Sequence, residues 1–121
     1  MSPLDLLGRI ANVEFAAMVT QVNRLGSKLR VHLVDKSYID VYVSRKLPDR
    51  FGFHWERGHI DGSVYRYDSF PGVNWSAVST FPFHFHAGTQ ETVVAAPFPT
   101  DLEQGFRGFP LFVQERLTRT I

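Results

Sequence analysis

The sequence contains no cysteine, and this absence removes several chemistries at once. Disulfide bonds, cysteine-ligated zinc and a thiol nucleophile are all excluded. Because small secreted domains often depend on disulfides, the absence also favours the cytoplasm. No run of residues approaches the roughly 18 apolar residues of a membrane span, and no signal peptide is recognisable. We therefore expect a cytoplasmic protein with no membrane segment.

The chain also has little excess charge of either sign. Its 13 lysine and arginine residues nearly balance 12 acidic residues, which leaves a net charge of +1. The pI of about 8.2 lies below the range that is typical of nucleic-acid-binding domains. A local basic patch is still compatible with this balance. The candidate residues for such a patch are scattered along the chain: Arg45, Lys46, Arg50, Arg57, Arg107, Arg116 and Arg119.

Several familiar catalytic motifs are missing as well, including a Ser-His-Asp signature, a P-loop, a glycine-rich dinucleotide motif and the H-E-x-x-H pattern. Aromatic residues, by contrast, are abundant, with 11 Phe, 4 Tyr and 2 Trp among 121 residues. We interpret most of these rings as core residues, and the alternative is a surface on which bases stack. The length and the hydrophobic fraction of 44% predict a single folded domain over 1–121.

Alternation of apolar and polar residues predicts a series of strands. The predicted strands are 14–23, 28–34, 38–44, 51–56 and 63–68. The first of these also contains helix-favouring residues, so a helix remains the alternative there, and the turn at 25–27 favours a strand. Short connections between successive strands imply an antiparallel meander.

Two helices are predicted at the ends of the chain. Ser2 as N-cap and Pro3 at the first helical position indicate a short helix at about 3–11. Thr100 and Glu103 match a capping box and begin a longer amphipathic helix at about 101–119, which Pro110 should kink or break. The predicted fold is therefore α+β, a single antiparallel sheet of about five strands packed by both helices.

A histidine pair marks the segment Thr80–His86. His84 and His86 share one face if this segment is extended, because side chains alternate along a strand. Such a pair can act as general acid and general base, since histidine titrates near neutrality. It can also bind a metal with a third ligand such as His54 or Asp68, or consist of two structural surface histidines.

A second polar pair precedes it. Arg66 and Asp68 share one face of their predicted strand, where Arg66 can hold a phosphate and Asp68 can orient a histidine. The alternative is an exposed ion pair that contributes little. If strands 51–56 and 63–68 are paired, His54 approaches Arg66 or Asp68. The sequence therefore predicts one site built from His54, Arg66, Asp68, His84 and His86.

Three segments in this order resemble the TumE family, small toxins of toxin–antitoxin systems. They read Phe-Gly-Phe-His-Trp-Glu at 51–56, Val-Tyr-Arg-Tyr-Asp-Ser at 64–69 and Thr-Phe-Pro-Phe-His-Phe-His-Ala-Gly at 80–88. The resemblance covers about residues 28–118. The chain departs from the family pattern at Phe83, where histidine is usual, and at Ala87, where aspartate is frequent. The resemblance implies a toxin that is paired with a DNA-binding antitoxin.

Analogy with other small α+β toxins predicts a metal-independent ribonuclease without a cofactor. In this mechanism His84 or His86 takes the 2′-hydroxyl proton and the other protonates the leaving oxygen. Arg66 stabilises the phosphorane, and His54 or Asp68 orients the reacting groups. One alternative is an interaction protein that acts through, or is neutralised by, a partner. Another is a metal-dependent enzyme that uses His84 and His86, and a homodimer is compatible with either.

Overall fold

The computed structural model describes residues 2–47, 50–72 and 75–119, which form one antiparallel sheet and two helices. The elements are α1 (Pro3–Glu14), β1 (Val19–Leu25), β2 (Lys28–Leu33), β3 (Tyr38–Val43), β4 (Phe51–Glu56), β5 (Val64–Asp68), β6 (His84–Gly88), β7 (Val93–Ala95) and α2 (Leu102–Arg119). The strands lie in the sheet in chain order, and each pairs antiparallel with its neighbours. The predicted α+β meander with two terminal helices is confirmed.

The sheet has seven strands rather than the five that we predicted. β6 contains the histidine pair, and β7 is only three residues long. A strand of three residues shows too little alternation to be recognised in a sequence. β6 is atypical because His84–His86 are buried on both faces of the sheet. The polar residues of this strand therefore do not mark a solvent-exposed face.

The ambiguous segment 14–23 is divided between two elements. α1 continues to Glu14, three residues beyond the predicted end, and Phe15 forms its C-cap. Turns follow, and β1 begins only at Val19. The prediction of a strand is therefore correct for the second half of the segment and wrong for the first.

The start of α1 agrees with the prediction, whereas α2 differs in two respects. The Ser2 hydroxyl accepts from the Asp5 backbone N–H at 3.1 Å, which completes the expected cap. In α2 the carboxylate of Asp101, not Thr100, accepts from the Gln104 backbone N–H at 3.0 Å. α2 also runs unbroken through Pro110, because buried residues on both sides of the proline hold it against the sheet.

One face of the sheet packs against the helices and forms the core. Alternate residues of β4 face inward, and the Phe53 ring lies 5.3 Å from Phe106 and 5.9 Å from Phe109 of α2. The polar atoms on this side have partners, since Trp55 Nε1 donates to Ser37 Oγ at 2.9 Å and the Tyr67 hydroxyl donates to the Pro99 carbonyl at 2.7 Å. The core face therefore combines aromatic packing with satisfied hydrogen bonds.

The opposite face, here called the outer face, carries the polar residues of the same strands. In β3, β4 and β5 the inward positions are buried, and the residues between them are exposed or half-buried, apart from the strand end at Asp68. Neither helix covers this face, because the strand residues that alternate with the core positions point away from both helices. No helix in the described part of the chain is long and apolar enough to cross a bilayer.

Candidate functional site

The five predicted site residues lie on three adjacent strands of the outer face. His54 of β4 is opposite Arg66 of β5, and Arg66 is in turn opposite His86 of β6. Asp68 is opposite His84 in the next row of the same pair of strands. The strand pairing that we predicted between 51–56 and 63–68 is thus present, and it brings His54 next to Arg66.

A concavity of about 440 Å³ opens on the outer face beside these rows. It is lined by Lys28, Asp40, Val41, Tyr42, Gly52, His54, Glu56, Arg66, Asp68 and Phe70. Gly52 leaves room at the floor, because a Cβ atom there would lie 3.4 Å from the Cβ atom of Asp68. Three of the predicted site residues therefore line one cleft, whereas His84 and His86 lie outside its lining.

Arg66 occupies the centre of the site and is half-buried. Its positive charge helps to stabilise the ionised form of Asp68. Within the described residues, however, no carboxylate forms an ion pair with Arg66. The ion pair with Asp68 that we considered as the alternative is therefore absent from this part of the chain, and the guanidinium is available to a ligand.

The neighbouring cations of the outer face are already paired with an acid. The Arg30 guanidinium donates to both oxygens of Asp40 at 2.8 and 2.9 Å, and Lys28 Nζ lies 3.0 Å from the same carboxylate. Burial raises the pKa of Asp40, but the hydrogen bonds from Arg30 and Lys28 outweigh it and leave the pKa below 3.8. Among the residues that the structure describes, Arg66 thus differs from its neighbours in having no such partner.

Three of the scattered basic residues that we considered for a basic patch have partners inside the protein: Arg57 pairs with Asp35, Arg107 pairs with Glu14 and Arg116 donates to the Tyr65 hydroxyl. The side chain of Arg119 lies outside the described residues. These contacts support the interpretation of the three paired arginines as structural.

His54 forms a pair with Glu56, a residue that we had not included in the site. His54 Nε2 lies 3.1 Å from Glu56 Oε2. A carboxylate only accepts, so Nε2 carries the proton in this hydrogen bond and Nδ1 of a neutral imidazole keeps its lone pair. His54 Nδ1 is buried without a hydrogen-bond partner in the described structure. The spacing of two residues within a strand was the sequence signal for this pair.

His84 and His86 are fully buried beneath a loop residue, Trp75. The Trp75 ring stacks on His84 with centroids 4.4 Å apart and meets His86 edge-on at 5.7 Å. Trp75 Nε1 donates to the Phe70 carbonyl at 3.2 Å, which helps to hold the ring over the histidines. Sequence reasoning missed Trp75, because nothing in a loop sequence indicates which strand its side chains cover.

The buried histidines and Asp68 form one electrostatic unit. Burial raises the pKa of Asp68, and the neighbouring His84 opposes this effect only in part. Burial likewise lowers the pKa of His86. Nitrogen and oxygen atoms from Asp68, His84 and His86 lie within 4.8 Å of one another, so these three residues could hold a metal ion.

The two departures from the family pattern lie on the core side. The Phe83 ring is 5.9 Å from the Phe51 ring and 6.5 Å from the Tyr67 ring, and Ala87 also packs against the core. Neither substitution therefore removes a polar group from the outer face.

Comparison with known proteins identifies the family of the chain. The family model described as Toxin TumE matches residues 5–117, which is nearly the whole chain. No curated protein and no solved structure matches. A toxin family of this kind implies an antitoxin partner in general terms. The chain belongs to the Toxin TumE family and is the toxin component of a toxin–antitoxin system.

Proposed function

We propose that this toxin cleaves RNA in the outer-face concavity and that Arg66 binds the scissile phosphate. The position of Arg66 carries the proposal, because it lies between His54 and His86 on adjacent strands. The planar fork of a guanidinium matches phosphate oxygens. Positive charge at this point also stabilises the negative charge that develops on phosphorus. The absence of an ion-pair partner for Arg66 among the described residues supports this role.

Two exposed aromatic rings at the edge of the concavity support a nucleic-acid substrate. Tyr42 is 40% exposed and Phe70 is 38% exposed, and their ring centroids lie 5.8 Å apart. Exposed rings beside a cationic cleft are typical of proteins that bind single strands, because every base can stack on them. This feature favours unpaired RNA over a duplex.

His54 is the histidine that a substrate in the concavity can reach. In the proposed reaction the 2′-oxygen attacks phosphorus, its proton passes to the Glu56 carboxylate, and the bond to the 5′-oxygen breaks. The leaving 5′-oxygen takes a proton from water. Glu56 lines the concavity, and His54 Nε2 orients its carboxylate by donating to Oε2 at 3.1 Å.

Direct proton transfer by His84 and His86 is the mechanism that we expected from the sequence. Both side chains are fully buried, so RNA reaches them only after Trp75 moves away. Burial also lowers the pKa of His86, which opposes the protonated form that a general acid requires. We therefore assign Asp68, His84 and His86 to the floor of the site rather than to contact with RNA.

An interaction protein that does not act on RNA is the second candidate. Family membership favours it, since it implies an antitoxin partner. Binding of a DNA-binding antitoxin and formation of a homodimer are compatible with both candidate functions. Size-exclusion chromatography with light scattering, on the toxin alone and on the toxin copurified with its neighbouring gene product, tests both assemblies.

The ribonuclease proposal is tested with toxin purified free of antitoxin and an end-labelled single-stranded RNA. Arg66→Gln should lower the cleavage rate by about 10²–10³-fold, because it removes the charge that faces the phosphate. Gly52→Val should also abolish cleavage, since its side chain fills the floor of the concavity next to Asp68 without changing any charge.

Arg9→Gln is the matched control. Arg9 is an exposed residue of α1, on the helical side of the sheet, and its replacement removes the same charge far from the concavity. We expect this variant to cleave at the wild-type rate. RNA that stays intact with the wild-type toxin, with and without added divalent metal, would overturn the proposal. Equal rates for Arg66→Gln and Arg9→Gln would exclude Arg66 as the phosphate ligand.

A further inference from the structure

Asp68, His84 and His86 form a buried cluster whose nitrogen and oxygen atoms converge on one point. One such atom from each residue lies within 4.8 Å of the others, and His84 Nε2 is 3.1 Å from Asp68 Oδ1. Neither imidazole is exposed at all, and only 9% of the Asp68 side chain is exposed. The three residues come from β5 and β6, so sheet hydrogen bonds fix their backbones.

Backbone carbonyl groups determine which nitrogen of each histidine is free. The Nδ1 atom of His84 lies 2.9 Å from the Pro82 carbonyl, and that of His86 lies 2.9 Å from the Gln90 carbonyl. A carbonyl only accepts, so each Nδ1 carries a proton and each neutral ring keeps a lone pair on Nε2. Metal-binding histidines typically have this arrangement, with one nitrogen donating to a carbonyl and the other binding the ion.

The Nε2 atoms have no hydrogen-bond partner in the described part of the chain. A purely structural histidine would be expected to satisfy both nitrogens, because an unpaired buried polar atom lowers stability. Asp68 does not satisfy them, since a neutral His84 with its proton on Nδ1 has none to donate from Nε2. Asp68 Oδ1 already accepts from the Phe70 backbone N–H at 3.0 Å, and a cation at the point of convergence would give both Nε2 atoms a partner at once.

We propose that Asp68, His84 and His86 bind one divalent first-row transition-metal ion, of which Zn²⁺ is the representative. Two imidazoles and one carboxylate suit such ions better than Mg²⁺ or Ca²⁺, which prefer oxygen ligands. Three protein ligands leave at least one coordination position open for water. The Trp75 ring over His84 supplies an apolar shell on one side. This metal site is a separate proposal from the ribonuclease activity, and Zn²⁺ binding does not require that the protein cleaves RNA.

The first experiment uses the wild-type protein, so it does not depend on how a variant folds. Protein stripped with a chelator is titrated with Zn²⁺ by calorimetry and by long-range ¹H–¹⁵N spectroscopy of its histidines. We expect one equivalent to bind and the Nε2 signals of two histidines to shift. The signals of His32, His54 and His59 should stay unchanged. No binding at millimolar Zn²⁺, or shifts confined to these other histidines, would overturn the proposal.

Variants identify the ligands. His84→Gln and His86→Gln should each weaken Zn²⁺ binding by about 100-fold or more, because each removes one ligand atom. His59→Gln is the matched control, since His59 is exposed and lies in the turn between β4 and β5. Circular dichroism of the metal-free variants verifies that they fold. If a variant does not fold, the ¹H–¹⁵N spectra of the wild-type protein determine whether its histidine binds Zn²⁺. Unchanged affinity in both folded variants would overturn the assignment.

Different experimental results would contradict the metal-site proposal and the ribonuclease proposal. Cleavage of RNA in the presence of EDTA by protein that binds no Zn²⁺ would overturn the metal site and leave the ribonuclease proposal intact. Stoichiometric Zn²⁺ binding through the Nε2 atoms without any cleavage of RNA would confirm the metal site and contradict the ribonuclease proposal.

Discussion

The two faces of the sheet are built from the same strands but differ in how completely their polar atoms are satisfied. On the core face, aromatic rings pack against α2, and the Trp55 and Tyr67 polar atoms have hydrogen-bond partners. On the outer face, nitrogen atoms of His54, His84 and His86 are buried without a partner among the described residues. The comparison indicates that the core face provides stability, and the unsatisfied nitrogen atoms of the outer face are the groups on which the proposed ligand site is built.

The largest change in the free energy of unfolding is expected from a substitution on the core face. Phe53 is fully buried and lies within 6 Å of four aromatic rings, those of Phe51, Tyr67, Phe106 and Phe109. Phe53→Ala should lower the free energy of unfolding by about 3–5 kcal/mol, because it leaves a cavity in this cluster. Urea denaturation followed by circular dichroism measures the loss. A decrease below about 1 kcal/mol would contradict the assignment of stability to this face.

A smaller change in the free energy of unfolding is expected on the outer face, at the ion pairs that Asp40 forms with Arg30 and Lys28. Asp40→Asn should destabilise the protein by about 1–2 kcal/mol at neutral pH, because Arg30 and Lys28 lose a charged partner. The folded-state pKa of Asp40 lies below its ordinary value of 3.8, so this stabilisation is present above pH 3.8. It is lost as the pH falls through the folded pKa.

The pH dependence provides the control for this variant. Unfolding free energies of wild type and Asp40→Asn, measured from neutral to acidic pH, should converge as Asp40 of the wild type becomes protonated. A difference that is constant over this range would show that packing rather than charge accounts for the effect.

The smallest effect, and one of opposite sign, is expected at the buried cluster. In metal-free protein, Asp68→Asn should raise the unfolding free energy by about 0.5–1 kcal/mol. The amide carries no charge to bury, and burial of that charge is what raises the pKa of Asp68. The amide oxygen can take the place of Asp68 Oδ1 and keep the hydrogen bond that it accepts from the Phe70 backbone N–H at 3.0 Å. Thermal and urea unfolding without metal measure the gain. A clear loss of stability would mean that Asp68 contributes to folding rather than to a ligand site.

Much of the sheet could be predicted from the sequence, because its strands alternate with a period of two. In β4 the aromatic residues Phe53 and Trp55 alternate with His54, and the observed burial follows this alternation. The same rule placed Arg66 with Asp68 and His84 with His86 on shared faces. Pairing of β4 with β5 was expected to bring His54 near Arg66 or Asp68, and the observed register places it opposite Arg66.

The remaining features depend on contacts that are distant in sequence. Trp75 lies in an irregular loop, and only the folded chain places its ring on His84. The protonation pattern of the histidines is set by carbonyl groups of Pro82 and Gln90, which no side-chain pattern reveals. Pro110 was expected to kink or break α2 on the basis of local preference, but α2 is not interrupted there, because burial of Phe109 and Val113 on either side outweighs that preference.

The alternation of faces has an evolutionary consequence. A single-residue insertion within β5 or β6 moves the residues on one side of the insertion to the opposite face, so rings would enter solvent while His84 or Asp68 entered the core. Stability and the ligand site would be lost in the same step. An insertion in the turn between β4 and β5 leaves both faces unchanged. Homologous toxins should therefore vary in length at their hairpin turns and keep the lengths of these strands.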